Sequence, residues 1–351
     1  MKKNKILFIL KRREDYNPDK HSHVGLSTGL YNSASFMNNM LVDAGFESNL
    51  VVVTDNNDID REVTKYKPTH VIIEALWVVP TKFNVLTELH PNVKWVIRLH
   101  SEMPFLANEG MAIDWIGDYV NFENLIIGVN APRALDEVKY FIKSSTGWGD
   151  SQVDEKIVYL PNYYPEAVIR KKYELDSEYV NISCFGAIRP LKNHIIQAIA
   201  AIKFAEKIGK KLRFHINGGR IEMKGEPVMN NLKALFLHVS DRGHQLVRHE
   251  WTPREEFLKI CAQIDIGMQV SFSETFNIVG ADLISQGVPL IGSVEIPWID
   301  QKFAAPATET EMIYEKLLLT NRKSKKNVES NQYLLNRYTN KSKKIWLKYF
   351  S

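Results

Sequence analysis

Residues 180–208 have the sequence VNISCFGAIRPLKNHIIQAIAAIKFAEKI. The apolar run Val180–Phe185 predicts a buried β-strand, and Gly186 begins a short loop. From about His194 to Ile208 apolar residues recur every three or four positions, which predicts a helix with one buried face; they are Ile195, Ile199, Ile202 and Ala205. Gly209 follows at the position of a C-cap. Strand, loop and helix in succession form the repeating unit of a parallel sheet.

The same succession extends in both directions along the chain. In the first half, apolar or β-branched runs alternate with helical patterns and predict strands at Lys5–Leu10, Asn49–Val53, His70–Leu76, Lys94–Leu99, Leu125–Val129 and Lys156–Leu160. A helix is predicted over Ser33–Ala44, closed by Gly45. In the second half, further strands are predicted at Leu212–Ile216, Asp265–Val270 and, as the last, Val288–Ile291. Helices are predicted to open with a capping box at Thr252–Glu255 and to run over Glu274–Ser285. The fold class is therefore α/β with parallel sheets.

Two domains are expected, because 351 residues exceed the usual size of one α/β core. The break is predicted at Pro161–Pro165, where two prolines bracket a segment that fits neither a helix interior nor a central strand. We assign residues 1–163 to an N-terminal domain and residues 164–325 to a C-terminal domain. Residues 326–351 are predicted to form a basic helix that crosses back to the first domain.

The composition, with 44% hydrophobic and 25% charged residues, is typical of a globular protein. No run reaches the roughly 18 apolar residues of a membrane-spanning helix, and the first apolar run is too short for a signal peptide. A cytoplasmic location is therefore expected. Cys184 and Cys261 lack a partner at metal-ligand spacing and are expected to be buried thiols.

Ligands of open parallel sheets bind beyond the carboxyl ends of the strands, so the loops there hold the candidate site residues. The loop after the first strand, residues 21–29, has the sequence HSHVGLSTG. Gly25 and Gly29 would let backbone N–H groups approach a phosphate ahead of the following helix. His21 and His23 have no third ligand in view, so we interpret them as loop residues and not as a metal site.

Two further loops place ionisable side chains after strands. His100 follows the strand Lys94–Leu99, where it could either hydrogen-bond a sugar hydroxyl or hold the loop. Arg189 and Lys192 precede a helix, an arrangement that suits a diphosphate whose charge grows as it leaves a sugar. The alternative for these two cations is exposure to solvent without a ligand.

The fourth loop, residues 271–282, has the sequence SFSETFNIVGAD and is followed by Gly287-Val288-Pro289. Glu274 and Asp282 lie eight positions apart on the predicted helix, so they can reach hydroxyl groups at opposite ends of one ligand. Backbone N–H groups at the start of that helix would meet the phosphates between those ends; they belong to Thr275, Phe276 and Asn277. A helix cap and a solvated aspartate are the alternative interpretation.

The spacing of Glu274, Asp282 and Gly287-x-Pro289 resembles the retaining GT-B glycosyltransferases of group 1, also called family four. The resemblance covers most of the chain and is strongest in its second half. It implies two Rossmann-like domains whose parallel sheets face across a cleft, with a nucleoside diphosphate sugar, UDP-sugar favoured, as donor. By this resemblance His100 and Glu274 contact the transferred sugar and Lys192 stabilises the leaving phosphate. The further donor contacts that it implies are Gly25, Gly29, Arg189, His249, Thr275, Phe276, Asn277 and Asp282.

The chain departs from the family pattern at several positions. Asp282 stands where the family has glutamate, and Ala187 stands where it has a phosphate-binding arginine. Arg189, two residues further along an extended chain and so on the same face, is our hypothesis for a replacement. In residues 247–251, which match the segment lining the base, Glu250 occupies a position that is customarily glycine.

A possible metal motif lies elsewhere, since Asp58-Ile59-Asp60 has the D-x-D form of the other glycosyltransferase fold. It lies in an Asp- and Asn-rich turn far in sequence from the proposed donor site. We therefore assign it no metal. In the GT-B interpretation, cations and helix dipoles take the place of a metal.

The resulting prediction is a metal-independent glycosyltransferase with no cofactor besides its nucleotide-sugar co-substrate. Its acceptor would be a glycan, a lipid or a small molecule. Because similar folds serve phages that glycosylate modified DNA bases, 5-hydroxymethylated bases are a further acceptor class, which would make the chain a phage DNA-modifying enzyme in the host cytoplasm. A non-catalytic sugar-nucleotide or nucleic-acid binding protein on the same scaffold is the alternative.

DNA would be contacted through the basic end of the chain. Residues 321–351 hold nine Lys or Arg and one acidic residue, Glu329. With Trp346, Tyr349 and Phe350, this tail is compatible with three roles: a helix that crosses back to the first domain, a membrane-surface anchor and a DNA contact.

Overall fold

The computed structural model describes residues 4–12, 28–165 and 178–351. The chain divides into two compact units, one formed by Met1–Pro165 with Thr339–Ser351 and the other by Glu166–Tyr338. Each unit contains a six-stranded sheet. The strand pairs of both sheets are parallel, as the alternating pattern predicts.

The first unit alternates strands and helices along the chain. Its elements are β1 (Lys5–Lys11), α1 (Thr28–Asp43), β2 (Glu47–Val53), α2 (Asp58–Tyr66), β3 (His70–Glu74), α3 (Lys82–Leu89), β4 (Lys94–Leu99), α4 (Met103–Leu106), α5 (Ala112–Tyr119), β5 (Leu125–Val129), α6 (Pro132–Thr146), α7 (Asp150–Lys156) and β6 (Ile157–Tyr159). The strand order is β2-β1-β3-β4-β5-β6.

The second unit has the same kind of alternation. Its elements are β7 (Tyr179–Ser183), α8 (His194–Lys207), β8 (Lys211–Ile216), α9 (Gly225–His238), β9 (Gln245–Arg248), α10 (Arg254–Cys261), β10 (Ile266–Gln269), α11 (Ile278–Ser285), β11 (Leu290–Ser293), β12 (Ala304–Ala305) and α12 (Thr310–Arg322). The last helix, α13 (Ser324–Tyr349), begins in the second unit, and its residues from Thr339 onward belong to the first unit. Short 3-10 helices occupy Pro190–Lys192, Ser240–Arg242 and Gln301–Phe303. The strand order is β12-β11-β10-β7-β8-β9.

The strands of the first unit are buried on both faces, because successive side chains point to opposite sides of the sheet. In β1, Leu7 and Ile9 belong to one apolar cluster, which includes side chains of α2, α3, α5 and α6. Ile6 and Phe8 belong to the other cluster, with side chains of α1 and the end of α13. The sheet is therefore covered by apolar side chains on both sides.

The C-terminal tail of the chain contributes to this second cluster. Trp346 is fully buried, and Phe350 is buried beside it. The indole Nε1 of Trp346 donates to the carbonyl of Pro161 at 2.7 Å. Burial raises the pKa of the Tyr349 hydroxyl to about 12. The aromatic residues of the basic tail are thus part of the core of the first unit, which leaves Trp346 and Phe350 inaccessible to a lipid surface or to DNA bases.

Several predicted elements are corrected by the structure. The helix predicted from Glu274 begins at Ile278, and the predicted last strand lies at Leu290–Ser293 with β12 after it. The predicted capping box at Thr252 is wrong: Pro253 occupies the N-cap of α10, and the Thr252 hydroxyl has no hydrogen-bond partner among the described residues. The sequence reasoning also missed α9 and β9.

Both cysteines are buried and free of disulfides, as expected. Burial raises the pKa of the Cys184 thiol to about 12 and that of Cys261 well above its ordinary value. In the described ranges, 4–12, 28–165 and 178–351, no helix contains an apolar stretch of the length that a membrane span requires.

Candidate functional site

The order of strands in the second unit locates its candidate site. The chain runs from β7 outward through β8 to β9, and then returns to the other side of β7 with β10. Parallel sheets bind ligands at such a reversal, beyond the carboxyl ends of the two strands. The loops that leave β7 and β10 contain Lys192 and Glu274 respectively.

Lys192 and Glu274 form an ion pair at this point. The ammonium of Lys192 bonds Oε1 of Glu274, and the two side chains retain 11% and 8% of their exposure. A lysine ammonium is a compact charge on a flexible stem, and here it contacts one oxygen of the carboxylate. The pair therefore holds one positive and one negative group at the sheet edge, close to the surface.

Backbone geometry and hydrogen bonds hold the two loops together. Gly186, three residues after the end of β7, has φ +119°, a conformation that favours glycine. Asn193 donates from Nδ2 to the carbonyl of Val270 at 3.0 Å, just beyond β10. The N–H of Phe272 donates to the carbonyl of Leu191 at 2.9 Å. The sequence around Gly186 and Asn193 thus fixes the position from which Lys192 reaches Glu274.

Arg189 lies apart from that ion pair and faces a different carboxylate. Its Nη1 is 3.8 Å from Oε2 of Glu222, and its side chain is partly exposed. Arg220 also binds Glu222, with Nε 2.7 Å from Oε1, and its guanidinium lies 4.7 Å from the ring centroid of Trp251. Two arginines therefore share one carboxylate, which leaves a net positive charge in this trio.

The residues predicted to present helix N–H groups precede α11 instead of forming its first turn. Asn277 is the N-cap, with φ +62°, and its side-chain oxygen accepts from the N–H of Gly280 at 2.6 Å. Phe276 is buried against Trp298 and Tyr338, and its carbonyl accepts from the Trp298 indole at 2.6 Å. Glu274 and Thr275 lie in the loop before this cap. Hydrogen bonds of Phe276 and Asn277 hold the end of this loop in a turn. The helix therefore begins later than the apolar periodicity of the sequence predicted.

Asp282 is inside α11 and is buried. Its Oδ1 pairs with the guanidinium of Arg254, the first residue of α10. The structure therefore gives this carboxylate a cationic partner that the sequence reasoning did not identify.

His249 follows β9 and belongs to a ladder of polar side chains. Its Nε2 lies 2.9 Å from Nδ1 of His215, and the two rings stack with centroids 5.2 Å apart. Nε2 of His215 in turn lies 3.1 Å from Oδ1 of Asn181. Burial, then the nearby His249 and Arg213, lower the pKa of His215 to about 3, and burial also lowers the pKa of His249. Both rings are accordingly neutral at pH 7.

In the first unit, the carboxyl ends of β3 and β4 carry a buried ionic network. Glu74 and Arg98 are register partners on these neighbouring strands, and both are fully buried. Nη1 of Arg98 donates to the two carboxylate oxygens of Glu74 at 3.1 and 3.3 Å. His100 follows β4 and bonds Oε2 of Glu74 through Nε2. The predicted sugar-binding histidine thus belongs to a network with two charged residues.

Of the two glycines predicted to face a phosphate, the structure describes only Gly29. Gly25 lies outside the described residues, as do His21 and His23, whereas Gly29 is the second residue of α1. The D-x-D motif opens α2: Asp58 Oδ2 accepts from the N–H of Thr54 at 2.9 Å, and Asp60 lies 2.7 Å from His90. Among the described residues, there is no group of three or more His, Cys, Asp or Glu side chains that could hold a metal ion.

Sequence reasoning missed Glu74 and Arg98, although a signal for both was present. Each is a charged residue inside a strand that is otherwise apolar, in HVIIE and KWVIRL respectively. Charged side chains are rarely buried unless they are paired. Each of these charged residues therefore predicts an oppositely charged neighbour, but only the register of β3 and β4 shows that the two residues are neighbours of each other.

Comparison with known proteins adds to this geometry. No protein-family model matches the sequence, and no curated protein matches it. Solved structures do match. An α,α-trehalose-phosphate synthase (UDP-forming) from Burkholderia vietnamiensis has a TM-score of 0.69 at 10% identity, over 99% of this chain and 96% of that chain. The sucrose-phosphate synthase of Thermosynechococcus elongatus has a TM-score of 0.63 at 12% identity, over 95% and 94%.

A third match is a trehalose-6-phosphate synthase studied for glycosyl transfer with retention, with a TM-score of 0.67 at 10% identity over 98% of each chain. At such identities the likeness concerns the fold. The chain has the GT-B fold, an α/β architecture with two parallel six-stranded sheets.

Proposed function

We propose that this chain is a retaining glycosyltransferase that moves a sugar from a nucleoside diphosphate sugar, with UDP-sugar preferred, to a hydroxyl acceptor without a metal ion. The observation that carries the proposal is the Lys192–Glu274 pair at the strand-order reversal of a GT-B fold. Similar solved structures support it, since they include a UDP-forming synthase and an enzyme of retaining glycosyl transfer.

The chemistry follows from opening the ion pair. A diphosphate would replace the Glu274 carboxylate at the Lys192 ammonium, and Glu274 would then be available to accept hydrogen bonds from sugar hydroxyl groups. Negative charge develops on the leaving diphosphate as the glycosidic bond breaks, and a fixed ammonium stabilises that charge more than it stabilises the ground state. Lys192 would thus act on the leaving group and Glu274 on the sugar.

The spacing of the sheet supports a ligand laid along its carboxyl edge. Going from β9 through β8 and β7 to β10 crosses three neighbouring strand pairs. At about 4.8 Å per pair, the edge from His249 to the Glu274 loop spans about 14 Å. We therefore propose the base near His249, the diphosphate near Lys192 and the sugar near Glu274.

The remaining donor contacts are proposed on the same basis. Arg189 would give up its ion pair with Glu222 and bind a phosphate oxygen instead. Asp282, held by Arg254, would accept from the ribose, and His100 of the first unit would contact the transferred sugar. The backbone of the loop before α11 and the glycines after β1 would face the phosphates; these are Thr275, Phe276, Asn277, Gly25 and Gly29.

The acceptor is proposed to be a glycan, a lipid or a small molecule with a free hydroxyl group. The case for hydroxymethylated DNA rests on the basic side chains of α13, most of which are exposed. Steep weakening of DNA binding with rising salt would support it, because each phosphate contact releases counterions.

The proposal is tested first by donor binding and then by product formation. UDP, GDP, ADP and CMP, with their sugars, are screened for a rise in melting temperature, which reports binding to the folded state. We expect a selective shift with uridine nucleotides that is lost in Lys192→Ala and kept in Lys207→Ala, an exposed lysine of α8. Transfer to an acceptor panel in EDTA, with the product anomer read by NMR, tests metal independence and retention. Binding without any product would favour a non-catalytic binding protein.

A further inference from the structure

The buried network at the carboxyl ends of β3 and β4 contains a residue that acts on His100. We propose that Glu74 is a positioning residue that holds the ring of His100 in the tautomer with its proton on Nε2. The inference rests on the proposed function only in that His100 is taken to meet the transferred sugar. The tautomer itself is inferred only from the contacts among Glu74, Arg98 and His100.

Arg98 is held by hydrogen bonds from all three guanidinium nitrogens, and its buried side chain is therefore not available to bind a ligand. Its Nε donates to the carbonyl of Leu160 at 3.0 Å, its Nη2 bonds Oδ1 of Asn162, and its Nη1 donates to Glu74. The guanidinium also lies 5.3 Å from the ring centroid of Trp346. A guanidinium is always charged in proteins, so it supplies a permanent positive charge beside the Glu74 carboxylate.

Glu74 is therefore ionised. Its burial raises the pKa of the carboxyl, but the attraction of Arg98 and the bond with His100 outweigh that cost, so the pKa lies below its ordinary value. An ionised carboxylate only accepts hydrogen bonds. The ring nitrogen that bonds Glu74, Nε2 of His100, must then carry a proton.

Two neighbours compete for Nε2 of His100, and their distances decide between them. Nη1 of Arg98 lies 3.3 Å away, whereas Oε2 of Glu74 is in closer contact. Burial lowers the pKa of His100, with Glu74 opposing and Arg98 reinforcing that effect, so the ring is neutral at pH 7. With the proton on Nε2, Nδ1 carries the lone pair.

The exposure of the network shows which of its members can meet a ligand. Glu74 and Arg98 have no exposed side-chain surface, and the ring of His100 retains 14%. His100 is thus the point at which the network reaches the surface, and its tautomer decides what it offers there. Glu74 makes it a hydrogen-bond acceptor for a hydroxyl group.

Glu74→Gln is the decisive substitution, because it keeps the size of the side chain. Arg98 has donors only, so the Gln oxygen turns to Arg98 and the amide NH2 faces His100. Nε2 must then accept, and the proton moves to Nδ1. We expect two-dimensional 15N NMR of the ring in the free protein to show the Nε2–H tautomer in the parent and the Nδ1–H tautomer in Glu74→Gln.

Glycosyl transfer is measured alongside. We expect kcat/KM to fall roughly tenfold in Glu74→Gln, the effect of about one hydrogen bond, because the hydroxyl group that donates to Nδ1 in the parent must turn and accept from Nδ1–H in the variant. In a His100→Ala background, Glu74→Gln should have no further effect on transfer, since Glu74 acts through the ring. UDP binding by the second unit should stay unchanged.

The outcomes separate this proposal from the proposed function. An unchanged tautomer in Glu74→Gln overturns the positioning role, whatever the activity. Equal losses of activity in the parent and His100→Ala backgrounds also overturn it, because they indicate a structural effect. A tautomer exchange without glycosyl transfer in the parent would contradict the proposed function and leave the positioning role intact. Should Glu74→Gln fold poorly, Glu74→Asp, which keeps the carboxylate, must keep the Nε2–H tautomer.

Discussion

Each unit has an ion pair at the carboxyl edge of its sheet, within the strands in the first unit and in the loops after them in the second, and the two pairs differ in how tightly they are held. Arg98 and Glu74 have no exposed side-chain surface, and Arg98 also bonds Leu160 and Asn162. Lys192 and Glu274 retain 11% and 8% exposure, and the lysine contacts one carboxylate oxygen. The first pair is supported on every side, whereas the second depends mainly on the attraction of its two charges.

This difference separates a pair that stays closed from one that a ligand can open. Removing one partner of a fully buried pair leaves an uncompensated charge, which costs more than the pair contributed. At the edge of the second sheet, an anionic ligand can replace the carboxylate without leaving the ammonium unpaired. We infer that the first pair governs stability and orientation and that the second governs binding.

The largest expected effect is on stability, from Arg98→Met. The substitution leaves the Glu74 carboxylate buried without its cation, so we expect the free energy of unfolding to fall by about 3–5 kcal/mol. Urea unfolding of the full chain measures it. The matched control is Lys139→Met, which removes a partly exposed partner of Asp154 in the same unit and should cost less than about 1 kcal/mol. Equal losses in both variants would erase the distinction between the two pairs.

The next effect is on catalysis, from Lys192→Met. Without the ammonium, the leaving diphosphate loses its stabilising charge, and kcat should fall about 100- to 1000-fold. Stopped glycosyl-transfer assays at saturating donor measure it. The free energy of unfolding should fall less than in Arg98→Met, because Glu274 can turn toward solvent. A variant with unchanged turnover would remove Lys192 from the mechanism.

The two pairs also show how far sequence alone reaches. Strands such as Lys5–Lys11 and Leu125–Val129 were predicted almost to the residue, because buried parallel strands are continuous apolar runs. Lys192 and Glu274 were predicted as site residues because each stands in a loop after a strand, and the structure places both in such loops. Their contact with each other depends on β7 and β10 being neighbours, which is a property of the strand order.

What could not be predicted has physical reasons. Glu74 and Arg98 become partners through the register of two strands, and the sequence contains no local trace of that register. The start of α11 was predicted four residues early. The helical spacing of apolar residues extends back to Glu274, but the left-handed backbone conformation of Asn277 prevents the helix from beginning before Ile278. The pairing of Asp282 with Arg254 joins two helices and likewise required the tertiary structure.

A third expected effect is a pH dependence of stability that arises from His215, which belongs to neither ion pair. The pKa of His215, about 3, lies below the ordinary value of 6.5, so between these values the unfolded chain binds a proton that the folded chain does not. Stability from this group is complete above pH 6.5 and is lost as the pH falls toward 3. From pH 7 to 5 the parent should lose about 2 kcal/mol more than His215→Gln, by urea unfolding at both values. The Glu74 carboxyl, whose pKa is depressed, loses its contribution only below its ordinary value near 4.5. Parallel losses in parent and variant would mean that His215 is protonated in the folded state.

The smallest effect concerns Arg189, which belongs to neither pair. It shares Glu222 with Arg220, so a phosphate can recruit its guanidinium while Arg220 keeps the carboxylate neutralised. Arg189→Met should weaken UDP binding about tenfold by calorimetry, since a charge-assisted bond to phosphate is partly offset by the bond to Glu222 that is given up. Arg242→Met, which removes an exposed partner of Glu206, is the control and should bind UDP like the parent. If Arg189→Met also binds like the parent, Lys192 is the cation on which phosphate binding depends, and the contrast between the two ion pairs becomes sharper, because the Lys192–Glu274 pair alone then supplies the charge for the phosphate.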